Sequence, residues 1–500
     1  MKKLPGFKTL CLLASAFLAM SAGGAYAQQS ADQQTAPQQP GAQQPAAQQA
    51  PAASPQTVTL DQAVAAARAT APGLKLATIT VDTGRAAMIQ TQAANGLSLG
   101  AKGDYFHQGT LLGSSTSTSA GAAAAGANGS GSNGENVQGG LTLSGPATNL
   151  GLTALHTFGE GVPGDQVSSA SLSASQTVFD GYPGGRAAAA VQQADYSYRA
   201  AQVSYDASLK SVLYQVKQAY YTLLGDQDTL RIRQATVSQS EQNLAYYKGL
   251  FTAGRATQLD VLQNQVTLTQ AQLDLRSAQN TVDVDRKNLS AAVGWPLDKQ
   301  YAVAEAPMPD LPSLAPEDAL KTAFQNRPEL RTLELNLASA DVNLSLQKSQ
   351  TLPVVSVNGS LGVSQDWSAN INAGSFTAGA SIALPVLDGG LRNSQVRQAA
   401  DQIASYKVQQ DQQGQSITIA VQNALFGVRD AHDRLDLSGQ SVKAAQGQYD
   451  LQKARYAVGL VTTLDVLTAF QAFTTAQVGL EQAKSNYVLA LLNLDSAMGL

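Results

Sequence analysis

Two acidic residues 205 positions apart sit in the same phrase. Asp260 lies in Gly254-Arg-Ala-Thr257-Gln-Leu259-Asp260-Val261-Leu262, and Asp465 in Gly459-Leu-Val-Thr462-Thr-Leu464-Asp465-Val466-Leu467. The shared pattern is G-x-x-T-x-L-D-V-L. Gly254 and Gly459 suit a helix C′ position, where a left-handed residue is needed. Thr257 and Thr462 suit N-caps, with Asp260 and Asp465 at N3, a T-x-x-D form of the capping box. This grammar alone builds a tight helix-turn-helix. The carboxylates can do more: gathered from several copies of the chain, they would repel one another and attract cations. That is the chemistry of a constriction, not of bond making.

Nothing else in the sequence supports catalysis. His107, His156 and His432 share no metal-ligand spacing, and there is no H-E-x-x-H, G-x-S-x-G or phosphate loop. Asp226 and Asp285 interrupt otherwise apolar seams and read as lumen-facing or locally paired polar groups. No enzyme activity, cofactor or metal is expected. Cys11, the one cysteine, falls in a segment with Lys2, Lys3 and Lys8, a mostly apolar stretch 9–20 and the site Ala25-Tyr26-Ala27. This has the form of a secretory signal over 1–27. A chain cleaved there has no thiol for disulfide or thiolate chemistry. It keeps 29 basic and 36 acidic residues, a net charge of −7 against −4 before cleavage. Charged residues are 14% of the chain, low for a cytosolic protein and common in outer-membrane and secreted ones. No basic block points to nucleic acid.

The repeated phrase belongs to a longer duplication. The seam Phe473, Ala476, Leu480, Ala483, Tyr487, Ala490, Leu494, Ala497 maps, 205 residues earlier, onto Leu268, Ala271, Leu275, Ala278, Val282, Asp285, Leu289, Ala292. Large and small residues alternate in the same order. Helical patterns run from about 184 to 292 and from 391 to 498, each broken once at the G-x-x-T phrase. Their first arms, of about 65 residues, would be about 100 Å long. Spacing such as Ile417, Val421, Ala424, Val428, Ala431, Leu435 is heptad-like and predicts coiled-coil packing. Residues 28–56, rich in Gln, Ala and Pro, read as a disordered tail. A first repeat is expected over 57–294, a connector over 295–313 and a second repeat over 314–500.

Each repeat also contains period-two alternation, the mark of strands with two unlike faces. Strands are expected near 97–112, 167–180, 354–365 and 375–387, leaving each pair through Asp180-Gly181 or Asp388-Gly389-Gly390. Their lengths suit a tilted membrane-spanning strand. The second pair is joined by a short turn near 368–375. The first is joined by some 55 residues holding the Gly/Ser/Ala tract 113–136. Leu141-Thr-Leu143 and Leu150-Gly-Leu152-Thr-Ala154 alternate too, which leaves an extra hairpin in this insertion as an open alternative. No apolar run outside the signal could cross a membrane as a helix, so a crossing would have to be a closed barrel. Four strands cannot close one. Three chains would give twelve strands and two would give eight. The helices carry a second apolar stripe (Leu259, Leu262, Val266, Leu273) and so also call for neighbours on two sides.

The signal, the duplicated strand pair with its long hairpin, the D-G exits and the G-x-x-T-x-L-D-V-L tips together resemble the TolC-like outer-membrane efflux proteins over about residues 57–500. The resemblance implies an α+β membrane protein: a homotrimer with a twelve-stranded barrel in the outer membrane and a periplasmic barrel of coiled-coil helices. It implies a passive duct, for efflux or type I secretion, docked to a periplasmic adaptor and an inner-membrane pump or transporter. By the same resemblance Asp465 matches an acidic ring that narrows the closed entrance, with Asp260 as its counterpart, and Tyr456 matches the tyrosine of a gate lock. The arginine of that lock falls on Val461, and a second acidic position on Thr468, with Gln263 opposite. Adaptor docking is expected at the tips, on Gly254, Thr257 and Leu259 and on Gly459, Thr462 and Leu464. The rival reading is a trimeric coiled-coil surface protein, such as an adhesin, with no transport role; two lipid-length strand pairs argue against it.

Overall fold

A computed structural model describes residues 56–108, 134–159, 166–312, 314–367 and 371–500. The signal 1–27, the tail up to residue 55 and most of the 113–136 tract lie outside the described residues. The elements are β1 (Gln56–Val58), α1 (Leu60–Thr70), α2 (Pro72–Ala94), β2 (Ser98–Gln108), β3 (Gly134–Ser144), β4 (Thr148–Gly159), β5 (Gln166–Phe179), α3 (Arg186–Thr252), α4 (Gln258–Val293), β6 (Tyr301–Val303), α5 (Pro316–Asn326), α6 (Pro328–Ser349), β7 (Val354–Asp366), β8 (Ile371–Ala383), α7 (Leu391–Ala457) and α8 (Thr463–Ala497). They divide into a strand unit, with Ala86–Asp195 and Ser339–Gln402, and a helical unit, with Tyr196–Ala338, Ile403–Leu500 and the described residues 56–85.

The strand unit is one antiparallel sheet in the order β2-β3-β4-β5-β7-β8. Long helical hairpins plus a sheet, in two repeats, is the expected fold. The number of strands is not the expected one: six rather than four. The addition is the hairpin β3–β4, seated between β2 and β5. Glycines at 134, 139 and 140 dilute its alternation, which is why the sequence marks it only faintly. Its turn is closed by the Gly145 N–H donating to the Thr148 carbonyl. β5 and β7 join the two repeats, with one irregularity between Thr177 and Phe179. The β7–β8 turn is shorter than expected, since β8 already begins at Ile371.

The helical unit builds the same core twice. In the first, Ala63 and Ala67 of α1 pack with Val216, Tyr220 and Leu223 of α3 and Val282, Leu289 and Val293 of α4. In the second, Ala319 and Ala323 of α5 pack with Ile417, Val421 and Val428 of α7 and Tyr487, Leu494 and Ala497 of α8. The pairs Val216/Val421, Leu223/Val428, Val282/Tyr487 and Leu289/Leu494 keep the 205-residue offset. Ala63/Ala319, Ala67/Ala323 and Leu74/Leu330 keep an offset of 256 instead. The difference, 51 residues, is the insertion that carries β3–β4. Alanine on the short helices lets backbones approach closely, while each buried Leu or Val contributes about 1.5–3 kcal/mol.

Two three-residue strands, β1 and β6, were not expected. They pair in parallel, Gln56 with Tyr301 and Val58 with Val303, so β1 begins on the last residue of the expected tail and the connector contains a strand. The Tyr220 hydroxyl ties them down, 2.7 Å from the Ala304 carbonyl and 3.2 Å from that of Val58. Runs this short, next to prolines, carry no readable periodicity. His432, read as solvated, is half-buried and packs edge-on against Tyr487, their ring centroids 5.7 Å apart.

Asp226 and Asp285 meet across α3 and α4; their second-repeat counterparts are Ala431 and Ala490. Burial, then a hydrogen bond with Asp285 and that residue's charge, push the Asp226 carboxyl up to about 7. Two carboxyls can hydrogen-bond only if a proton lies between them. The folded chain therefore holds a proton that an unfolded one releases above about pH 4. Because the folded pKa is raised, the contribution to stability is present at low pH and lost as pH rises through 7. Asp226→Asn is expected to raise the thermal midpoint at pH 8 more than at pH 5; an equal shift at both would exclude the shared proton. A second prediction concerns backbone strain. Gly294, the α4 C-cap, has φ +85°, and a Cβ there would lie 2.6 Å from the Thr70 carbonyl oxygen. Gly459 has φ +79° with open space around it. Gly459→Ala should cost about 1–2 kcal/mol from its left-handed backbone alone, and Gly294→Ala clearly more, as read by denaturant midpoints in detergent.

Candidate functional site

The two hairpin tips form by the same local physics. At the first, the Gly254 N–H donates to the Phe251 carbonyl (2.9 Å) and the Arg255 N–H to that of Leu250 (2.8 Å). At the second, Gly459 donates to Tyr456 (2.9 Å) and Leu460 to Arg455 (3.0 Å). Both are Schellman ends, with Gly254 at φ +72° and Gly459 at φ +79°. The chain then turns at once into the next helix. Thr257 and Thr462 cap α4 and α8, accepting from the backbone N–H of Asp260 and Asp465. The acids close the box. Asp260 Oδ2 lies 2.7 Å from both the N–H and the hydroxyl of Thr257, and Asp465 Oδ2 lies 2.8 and 2.7 Å from those of Thr462. Each cap contributes about 1 kcal/mol.

Beyond the cap the two acids part company. Asp465 is exposed, and hydrogen bonds from the Thr462 hydroxyl and N–H hold its carboxyl below the usual range. Burial pushes the Asp260 carboxyl up, but hydrogen bonds from Thr463 and then Thr257 outweigh it and the net shift is downward. Thr463 is the first residue of α8, so Asp260 reaches from one hairpin to the other. A carboxylate only accepts, so the Thr463 hydroxyl donates to it. Thr463 also lies beside Tyr247, whose phenol is raised, above all by burial and then by the neighbouring Tyr456. The Tyr247 and Tyr456 rings lie 5.4 Å apart. Asp260, Thr463, Tyr247 and Tyr456 thus form a polar relay of neighbouring side chains between the two tips of one chain.

Of the residues singled out by sequence, the structure therefore brings Asp260 and Tyr456 into one network and leaves Asp465 apart from it. Tyr247 and Thr463 were missed. Their positions in the other repeat hold Gln452 and Gln258, so a search for shared residues passes over them. Val461, at the position of the lock arginine, packs beside Tyr449, Val466 and Phe470. The Thr468 hydroxyl bonds back to the Leu464 carbonyl. Around the caps, Leu259, Leu262, Val458, Leu460 and Leu464 are all more than half exposed. Together they form an exposed apolar rim at the helix ends. Among the described residues no cluster could hold a metal ion, and no helix is long and apolar enough to cross a membrane.

Residues 63–295 and 319–500 match the profile of the outer membrane efflux proteins, one stretch for each repeat. The chain is similar to the outer membrane protein TolC of Escherichia coli (strain K12), 25% identical over 371 residues that cover 70% of this chain and 74% of that protein. It is similar to the probable efflux pump outer membrane protein TtgC of Pseudomonas putida, 24% identical over 338 residues covering 66% and 69%. In fold it resembles the outer membrane protein VceC of Vibrio cholerae, with a TM-score of 0.67 at 18% identity, covering 88% of this chain and 96% of that one. Each matched stretch contains one capped tip with its long arms, so the likeness extends over the duplication itself. The chain belongs to the outer membrane efflux protein family, whose members are channels and not enzymes.

Proposed function

We propose that the chain, delivered by its cleaved signal, works as a homotrimer. In this reading it is the passive exit duct of a tripartite efflux pump, meeting a periplasmic adaptor and an inner-membrane pump. The observation that carries this reading is a sheet with two open edges, β2 and β8, and one apolar face. In lipid an open edge leaves backbone groups unpaired, at several kcal/mol each, so further copies must complete it. A surface adhesin has no use for such a sheet. The helical arms supply the periplasmic tunnel, and the apolar rim at Leu259, Leu464 and their neighbours supplies the docking surface for the adaptor.

The tips are the gate. Asp465, ionised and exposed, is placed to form an acidic ring with its copies. With Val461 in the place of the lock arginine, the Asp260–Thr463–Tyr247–Tyr456 relay takes over the task of holding the two hairpins together. Opening requires them to part, and so requires the relay to break.

Two measurements in planar bilayers test this. Asp465→Ala should loosen the closed entrance and raise resting conductance; unchanged current would remove Asp465 from the gate. Loss of one such hydrogen bond is worth about 1 kcal/mol, a shift of about fivefold in the ratio of open to closed states. Tyr247→Phe, which keeps the ring and removes the hydroxyl, should therefore raise resting open probability by about that factor. A wild-type open probability would mean that the relay is a packing detail.

A further inference from the structure

We propose that the membrane wall built by this chain has eighteen strands, six from each protomer, and not the twelve that four strands per protomer would give. This rests on the trimeric channel reading above and adds to it the width of the outer-membrane mouth.

The question is whether β3–β4 is part of the wall or an ornament on a surface loop. Register decides it. β3 pairs with β2 along its whole length, from Ser98 opposite Ser144 to Gln108 opposite Gly134. β4 pairs with β5 from Thr148 opposite Gln176 to Phe158 opposite Gln166. The turn 145–147 is therefore level with the end at which the chain enters β2 and leaves β5. The hairpin crosses the full height of the sheet, and β2 and β5 are not paired with each other.

The side chains agree with the register. One transverse row reads Ala101, Leu141, Leu152, Leu172, Leu361, Phe376 across the six strands. The next row on the opposite face reads Gly100, Thr142, Gly151, Ser173, Ser360, Thr377. The inserted hairpin thus continues both the apolar and the polar face in phase, with two adjacent departures, Leu155 on the polar face and His156, bonded to Ser168, on the apolar one. Leu143, Leu150 and Leu152 are 36%, 39% and 47% exposed, an apolar surface that water would penalise and lipid would not. β4 carries no Asp, Glu, Lys or Arg, and β3 carries only Glu135 near its outer end. Inserting two strands also preserves the antiparallel order, so the edges β2 and β8 still run in opposite directions and can pair between copies. Barrel diameter grows about linearly with strand number, so eighteen strands give a mouth about 1.5 times as wide as twelve.

Direct imaging of the wild-type trimer in a lipid disc counts the strands: eighteen are expected, and twelve with β3–β4 outside the wall would overturn the proposal. Single cysteines provide an independent test, placed at Leu141 and Thr142 in β3 and, as controls, at Phe376 and Ser375 in β8. A charged thiol reagent added to intact proteoliposomes should label Thr142→Cys and Ser375→Cys from the lumen and spare Leu141→Cys and Phe376→Cys. Labelling at both β3 positions with the β8 contrast intact would reject the eighteen-stranded wall and leave the channel reading standing. Loss of contrast in β8 as well would reject both.

Discussion

A backbone N–H or C=O left unpaired in hydrocarbon costs several kcal/mol, and most of this molecule follows from that penalty. A sheet of six strands with an apolar face has two edges it cannot satisfy alone. In the proposed trimer, closing on copies of itself removes those edges and encloses a space. The polar face, with its Ser, Thr and Gly, then lines water. Among the described residues the sheet's charged side chains stay near one end or on that face, as in the Lys102–Asp104 pair at 3.0 Å.

Duplication then explains how the helices are made to serve such a wall. The same seam, set 205 residues apart, yields two cores of matching residues, so each hairpin presents equivalent surfaces to its neighbours. The places where the copies differ are the informative ones. Asp226 and Asp285 replace alanines within one core. Tyr247 and Thr463, each present in only one repeat, make the contact between the tips.

Much of this was legible in the sequence because it rests on local rules. The Schellman glycines, the T-x-x-D caps and the long seams are each fixed by a few residues and their spacing, and the tips fold as those residues dictate. What was hidden rests on partners far apart in the chain. The relay joins residues 247, 260, 456 and 463, and no spacing reveals that Thr463 faces Asp260. β1 and β6 are too short for any period to show. The extra hairpin lay between: Leu141, Leu143, Leu150 and Leu152 alternate, but only pairing with β2 and β5 turns that faint rhythm into two membrane-length strands.

The helical unit holds acids of two opposite kinds, and the contrast bears on how a duct of this type stays closed. Asp465 sits at a helix N-terminus, where the Thr462 hydroxyl and N–H and the positive end of the helix all favour its charged form. Its ionisation is thus a by-product of the fold: the bonds that cap the helix are the ones that keep the carboxyl charged. A ring of such groups keeps its repulsion and its affinity for cations when the surroundings acidify mildly. Asp226 is half-buried beside another carboxyl, which with burial pushes its own carboxyl up to about 7. A gate built on the first kind answers to the mechanical approach of a partner, whereas one built on the second would answer to pH. In the proposed gate, an acid placed in the cap ties opening to contact at the tips, while the proton-sensitive pair sits apart from it between α3 and α4.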